Sequence, residues 1–377
     1  MIDSFSDNWS YHRNIVSFKN KADGHDVTII TTRYKMGEHG ENVATKAGVE
    51  FTNSGVKVIR LPDIFPFFPK YLQDRLHWTR GLYLALEKEK PDVIMVHNLQ
   101  FFNLSEVTKY RLLYPNVKLL GDTHATSDNS ISTLHPRRTK FIQRHFIGPL
   151  IRRNFKYFDK FSYLSINEKE FFEEMYGINL DDAYMTPLPA PIIPLQEKLE
   201  IKKKIRRSLG LAENTFLFVH SGKLAPSKKT EWIFEALKDC DIDCKFLIIG
   251  SIPKEQEALI NQYLQNELRS EYLGWMDANK LREYIAAADI YLQPGGVSVT
   301  YQNAICVGTP VIAYPHKPYK IFTMGGEFFV SSPEDMRAVF ERVKADRSIL
   351  EIMSQKAYET GEKYFSIEKN AEFIYDV

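Results

Sequence analysis

Cysteine is scarce in this chain: Cys240, Cys244 and Cys306 are all there is. Cys240 and Cys244 are separated by three residues, with no His or second cysteine pair beside them. That spacing argues against a zinc site or a disulfide framework and fits a reducing compartment. Apolar runs of the roughly 20 residues that a spanning helix needs are absent too. Met1–Tyr11 is polar and aromatic, without the order of a signal peptide, so the expected location is the cytoplasm. Charge of one sign is also lacking, with 49 Lys and Arg against 48 Asp and Glu. That balance says nothing for or against nucleic acid, so electrostatic arguments must be local; no nucleic-acid partner is expected.

What is present is a rhythm. Short β-branched runs alternate with longer helical patterns, which reads as parallel sheets with helices on their faces. The expected strands of the first half are Val27–Thr31, Val56–Arg60, Val93–Val96, Lys118–Gly121 and Lys160–Ser165. In the second half they are Thr215–His220, Lys245–Ile249, Glu271–Leu273, Ile290–Gln293 and Pro310–Ala313. Thr186–Pro194 carries four prolines, which fix φ and remove donors, so it reads as a linker. The expected domains are therefore 1–188 and 189–358, with a final helical segment 359–377. Two doubly wound domains would place a ligand crevice at the carboxyl ends of both sheets. The first domain, however, offers only the short and polar Met1–Phe5 as its opening strand. Either that strand is unusually abbreviated or a segment precedes Met1, and the second is the expectation.

Two segments carry chemistry. Phe216–Lys229 is a buried strand, a Gly222 turn and then lysines ahead of a helix. Gly222 permits a tight turn and close approach, and Lys223 and Lys228 can neutralise a diphosphate. The same segment reads equally as a solvated loop. Tyr291–Pro315 is a strand, a Pro294-Gly295-Gly296 turn, and a short helix that Ser298 or Thr300 can cap. Its first-turn amides form a ready anion site, and Gln302 and Asn303 can meet hydroxyl groups. Plain strand–helix punctuation is the alternative.

Together these segments resemble the C-terminal domain of the retaining glycosyltransferases of the GT-B fold, family 4. The motifs are Gly222-Lys223-Leu224, Ser227-Lys228-Lys229, Tyr272-Leu273-Gly274-Trp275 and Gly308-Thr309-Pro310. The resemblance implies two Rossmann-like domains facing across a cleft, with a C-terminal helix crossing back to the first. It implies a donor site of Gly222, Lys223, Lys228, Trp275, Gly295, Gly296, Ser298, Thr300, Gln302 and Asn303. The family carries glutamates at the positions of Gly295 and Asn303, and an arginine at Lys223. In the first domain, Gly121-Asp122-Thr123-His124 resembles the family's Asp-x-His stretch, which implies a catalytic role for His124 with Asp122. Asp7, Trp9, His12 and His97 fall on the acceptor side.

The implied function is transfer of a sugar from a nucleotide diphosphate donor, with UDP the expected nucleotide, to a glycan or lipid-linked acceptor. Retention of configuration and a role in bacterial cell-envelope polysaccharide synthesis follow from the same resemblance. No metal or cofactor is expected, since lysines and helix amides can meet the diphosphate charge. Residues 135–161 are basic and interleaved with Phe141, Phe146, Ile147, Leu150, Ile151 and Phe155. They read either as a peripheral anchor at the inner face of an anionic membrane or as an ordinary solvated helix. Phe65–Tyr71 extends that surface or packs. The rival functions are a nucleotide-sugar epimerase or hydrolase, and a non-catalytic sugar-nucleotide-binding partner subunit.

Overall fold

The computed structural model describes residues 5–7, 12–36, 42–64 and 78–375. Trp9 and Phe65–Tyr71 lie outside them. The chain forms two compact units, one of Met1–Pro187 with Ile367–Val377 and one of Leu188–Ser366.

The second unit is built on one sheet of six parallel strands. These are β10 (Phe216–Lys223), β11 (Cys244–Ser251), β12 (Ser270–Tyr272), β13 (Ile290–Gln293), β14 (Val311–Ala313) and β15 (Glu327–Phe329). Their order is β12-β11-β10-β13-β14-β15. A parallel sheet covered on both faces needs continuous apolar runs, and Phe216–Ser221 is buried at every position. Helix Thr230–Lys238 buries Ile233, Phe234 and Leu237, while Pro333–Ala345 buries Met336, Phe340 and Val343. Both sets repeat at helical spacing. Ser332 caps the second of these helices by accepting the Asp335 N–H. A buried carboxylate ties the layers. Asp289 receives Lys202 at 2.7 Å, Arg206 and Arg347 at 3.1 Å each, and the Leu217 N–H at 2.8 Å.

The first unit contains β1 (Thr28–Thr32), a hairpin of β2 (Tyr34–Met36) and β3 (Asn42–Ala44), then β4 (Gly48–Phe51) and β5 (Lys57–Leu61). After these come β6 (Val93–His97), β7 (Lys118–Thr123), β8 (Lys160–Tyr163) and β9 (Tyr184–Met185). One sheet runs β1-β5-β4, with β4 antiparallel; a second runs β6-β7-β8-β9, all parallel. The strands expected between Val27 and Ser165 appear within a residue or two, while β10 runs three residues beyond the expected end at His220. The hairpin and β4 carry no β-branched run and were not expected.

Two expectations change. The segment 359–377 divides. Gly361–Phe365 stays in the second unit, where a Cβ on Gly361 would stand 3.1 Å from Cys306 Cα and Tyr301 meets Phe365 edge-on. Only Ile367–Tyr375 joins the first unit, as a helix against His12–Ala22. The basic stretch 135–161, helical from Pro136 to Phe155, also turns part of its apolar side to the core. Helix Pro136–Ile142, a wide turn Gln143–Ile147 and helix Gly148–Phe155 lead into β8. Ile147, Ile151 and Phe161 are buried in the core, with Leu150 and Phe155 packed on it. The apolar side of its second half is spent on the domain interior.

Candidate functional site

Three glycines stand side by side at the carboxyl edge of the second sheet. Gly222 of β10 pairs with Gly250 of β11, and the Gly250 N–H donates to Gly274 O at 2.8 Å. Gly222, Gly250 and Gly274 all have positive φ (122°, 141° and 73°), where a side chain is strained. A Cβ on Gly250 would stand 1.9 Å from Gly222 O. The edge is therefore bare backbone. Trp275, 76% exposed, follows directly after it, and the Tyr272 hydroxyl is anchored to Gly250 O at 2.7 Å.

Lys228 reaches over this floor. Its ammonium nitrogen would lie 3.5 Å from a Cβ on Gly222, and its Cδ 3.8 Å from one on Gly296. The residue is half-buried, and its ammonium has no hydrogen-bond or ion-pair partner among the described residues. Burial pushes its pKa down to about 8. Lys223, at the end of β10, is exposed. Lys229 is turned elsewhere, its ammonium 3.7 Å from the Trp232 ring centre and 4.2 Å from that of Tyr314. Below this loop, His220 is fully buried between Leu292 O (2.7 Å) and the Thr230 hydroxyl (3.0 Å). Burial pushes its pKa down to about 4, so it is a neutral structural tie.

The turn after β13 closes on the same loop. Gly295 presses against Ser227 O, and Gly296 turns with φ 60°. Gln293, buried, donates to Gly296 O at 3.0 Å and to the Tyr319 hydroxyl at 2.7 Å, and accepts from Thr300 at 3.2 Å. Ser298 and Thr300 share a hydroxyl bond of 2.9 Å rather than capping the helix Val299–Cys306. The Ser298 N–H, expected to face an anion, is taken by the Tyr319 hydroxyl at 2.9 Å. Gln302, oriented to donate, turns back onto Ser298 O and Val299 O at 3.0 and 3.2 Å. Asn303 stands half-buried on the same helix. The structure thus gathers Gly222, Lys228, Gly295 and Gly296. It assigns Ser298, Thr300 and Gln302 to holding the turn.

In the first unit, the carboxyl ends of β6 and β7 form a second cluster. Asp122 is fully buried and accepts from His97 Nδ1 at 2.6 Å, His124 Nε2 at 3.2 Å and the Asn98 N–H at 2.8 Å. Burial alone would raise its carboxyl, but the charges of His124 and His97 and their hydrogen bonds outweigh it and hold the group well below its ordinary value. Both imidazoles are partly exposed and meet edge-on at 6.1 Å. The ligand-type atoms of His97, Asp122 and His124 lie within 4.8 Å of one another. Asn98 takes positive φ (65°), an unusual conformation that brings its N–H onto Asp122. Glu168 lies within reach of the His124 charge, and burial raises its pKa. Asp7 is engaged elsewhere, accepting the Asn53 N–H at 2.8 Å. His12 opens a helix and its side chain lies outside the description.

Sequence reading missed Gln293, Tyr319, Gly250 and Glu168. Of these, Gly250 had a signal, a glycine closing the buried run Phe246–Ile249. The other three are recognisable only once partners distant in sequence are brought beside them.

Residues 201–360 match the family model described as Glycosyl transferases group 1, and residues 21–189 match Glycosyltransferase Family 4. Among curated proteins, the chain is 22% identical over 209 residues to TuaC of Bacillus subtilis (strain 168), described as a teichuronic acid biosynthesis glycosyltransferase. That match covers 54% of this chain and 52% of TuaC, about half of each. Among solved structures, HepE of Anabaena in complex with UDP and glucose aligns with TM-score 0.67 at 14% identity, over 99% of this chain and 97% of that one. Sucrose-phosphate synthase of Thermosynechococcus elongatus aligns with TM-score 0.68 at 14% identity, over 97% and 91%. At such identities these likenesses show the fold, two Rossmann-like α/β domains of the GT-B type.

Proposed function

Because the chain belongs to the glycosyltransferases, with a family 4 domain ahead of a group 1 domain, we propose that it moves a sugar from a nucleotide diphosphate donor to a glycan or lipid-linked acceptor. The observation that carries this reading is Lys228. An unpaired, half-buried ammonium over bare glycine backbone costs stability unless an anion meets it. A diphosphate would gain charge-assisted bonds there, each worth about 1.5–3 kcal/mol. Lys223 adds an exposed second cation, and Trp275 offers an exposed face for the base. UDP is the expected nucleotide; the HepE structure with UDP and glucose supports that choice. TuaC, named for teichuronic acid biosynthesis, supports a role in cell-envelope polysaccharide synthesis.

On this reading Lys228 and Lys223 stabilise charge on the departing diphosphate, the kind of electrostatic contribution that is usually large. His124 donates to the transferred sugar or phosphate, with Asp122 fixing its orientation and that of His97. Retention of configuration is part of the proposal, as is independence from metal. The exposed pair Phe141 and Phe146, beside Arg137 and Arg138, supports peripheral attachment to an anionic membrane at its cytoplasmic face.

The test is calorimetric titration with UDP, GDP, ADP and CDP in chelator, followed by the sugar conjugates of whichever binds. One-site binding in chelator, lost when Lys223 and Lys228 are both replaced by Ala, supports the donor site and its metal independence. Binding that requires added divalent cation would move attention to His97, Asp122 and His124. Binding without transfer or hydrolysis of any donor would favour the non-catalytic partner subunit.

A further inference from the structure

Lys228 and Lys229 adjoin in sequence, and the fold treats them in opposite ways. The Lys228 ammonium is left over the glycine floor. That of Lys229 is held against two rings, 3.7 Å from the centre of Trp232 and 4.2 Å from that of Tyr314. The rings stand 6.4 Å apart, inclined at 55°, an open V around the nitrogen. Among the described residues no carboxylate or hydrogen-bond acceptor holds this ammonium as well.

Lys229 is also one of three residues other than glycine with positive φ among those described, at 52°; Lys90 and Asn98 are the others. A side chain in this left-handed conformation crowds the following carbonyl, and it persists where surrounding contacts over-determine it. The position is the junction between the short turn Pro226–Lys228 and helix Thr230–Lys238. The Lys229 N–H donates to Pro226 O, and the Trp232 N–H donates to the Lys229 carbonyl, both at 3.1 Å. The side-chain stem lies across Gly295, where a Cβ would stand 2.8 Å from Lys229 Cγ. Tyr314 follows β14, and its N–H donates to Gln293 O at 3.2 Å. Lys229 thus ties the turn that carries Lys228 to the first turn of the helix and to the ends of β13 and β14.

We propose that Lys229 is the positioning residue of this loop: the Trp232 and Tyr314 rings hold its ammonium, which keeps the left-handed turn closed and Lys228 over Gly222 and Gly296. Its functional side rests on the reading of Lys228 as a partner for the donor diphosphate. Rings suit this place better than an ion pair. A carboxylate beside the loop would pair with Lys228 and repel a diphosphate. Ring faces attract the cation and do neither, so the charge of Lys229 still favours an anion nearby. Freed from the rings, the strained turn has nothing to hold it, and the Lys228 ammonium swings out into water.

The experiment reads Lys228 directly, in the protein without nucleotide, by NMR of isotope-labelled methyl groups placed on the lysine amines. The Lys228 signal is assigned by its loss in Lys228→Arg. Burial sets the Lys228 titration at about 8. In Lys229→Met it should move to about 9 or above, toward the ordinary lysine value of about 10.4, and UDP affinity should fall at least tenfold. Lys229→Arg keeps a cation for the rings and should leave both close to the parent. Trp232→Leu removes the clamp from the other side and should move Lys228 in the same direction, which preserves the test should Lys229→Met fold poorly. A Lys228 titration unmoved in Lys229→Met and in Trp232→Leu would overturn the proposal, as would failure of Lys229→Arg to retain the parent value. Because that titration is read without nucleotide, a shift in a protein that binds no UDP would uphold the clamp and count against the donor reading alone.

Discussion

Gly295 rests against the carbonyl oxygen of Ser227 so closely that a Cβ would stand 2.3 Å from it, and 3.0 Å from the Lys228 carbonyl carbon. Both of these are backbone, and Lys229 Cγ stands between them at 2.8 Å, so a side chain can enter only by moving the loop that holds Lys228. The glycine, at a position where the family resemblance implies a glutamate, is therefore part of the packing, not simply a lost carboxylate. Gly295→Ala should cost about 1–3 kcal/mol through overpacking and weaken UDP binding at least tenfold. Gly295→Glu should be worse on both counts. Thermal denaturation and titration calorimetry read the two effects. A Gly295→Glu protein that binds the donor as well as the parent would show that the turn has room.

Lys228 would give the proposed donor site a pH dependence. Its pKa in the empty site is pushed down to about 8 by burial, and a bound diphosphate pulls it back up. Binding then takes up a proton in the interval between the two values. Affinity should be level below about pH 8 and fall by up to tenfold per unit above it. Titrations at pH 7 to 9.5 in buffers of different ionisation enthalpy measure both the fall and the proton. Lys228→Met should be weak and level across that range.

The second unit was easier to read from sequence than the first, for physical reasons. Its strands are central, parallel and covered on both faces, so Phe216–Val219 and Phe246–Ile249 stand out as uninterrupted apolar runs. In the first unit, β2 to β4 lie on the periphery and need no such run. The glycine floor was half legible, because Gly222 and Gly295 close buried strands. The roles of Ser298 and Gln302 were not. Whether their donors face a ligand or the turn depends on Tyr319 and Gln293, brought together only by folding. The basic stretch 135–161 kept two readings open because composition does not say which side of a helix meets the core.

Asp122 holds two imidazoles and a backbone N–H without contact with solvent. Asp122→Asn keeps the shape but turns one acceptor into a donor, leaving a histidine bond unmade at about 1–3 kcal/mol. The carboxyl's folded pKa lies below its unfolded value, so its stabilisation is present above about pH 4 and lost as pH falls through the folded value. The variant should therefore unfold at lower urea at pH 7 and lose less stability than the parent on acidification below pH 4. Sugar transfer should fall at least tenfold, with UDP affinity unchanged because the proposed nucleotide site is built from residues of the other unit.

Leu134, Phe141 and Phe146 are 82%, 55% and 63% exposed, in a stretch where Ile147 and Ile151 are buried. Lys140 and Arg144 are paired with Glu174 at 3.3 and 3.0 Å, which leaves Arg137 and Arg138 as the exposed cations beside the phenylalanines. A surface that inserts two rings and brings two cations to anionic lipid gains about 1 kcal/mol per cation, with burial of the rings in addition. Phe141→Ser with Phe146→Ser should release the protein from phosphatidylglycerol vesicles at least tenfold, and neutralising Arg137 and Arg138 should do so in a salt-dependent way. Arg152, by contrast, donates to Tyr176 O at 3.1 Å and its removal should act on stability. Cosedimentation with vesicles, beside a melting curve for each variant, separates the two. If the parent protein stays in the supernatant at low salt, the exposed rings serve some other contact and the membrane reading falls.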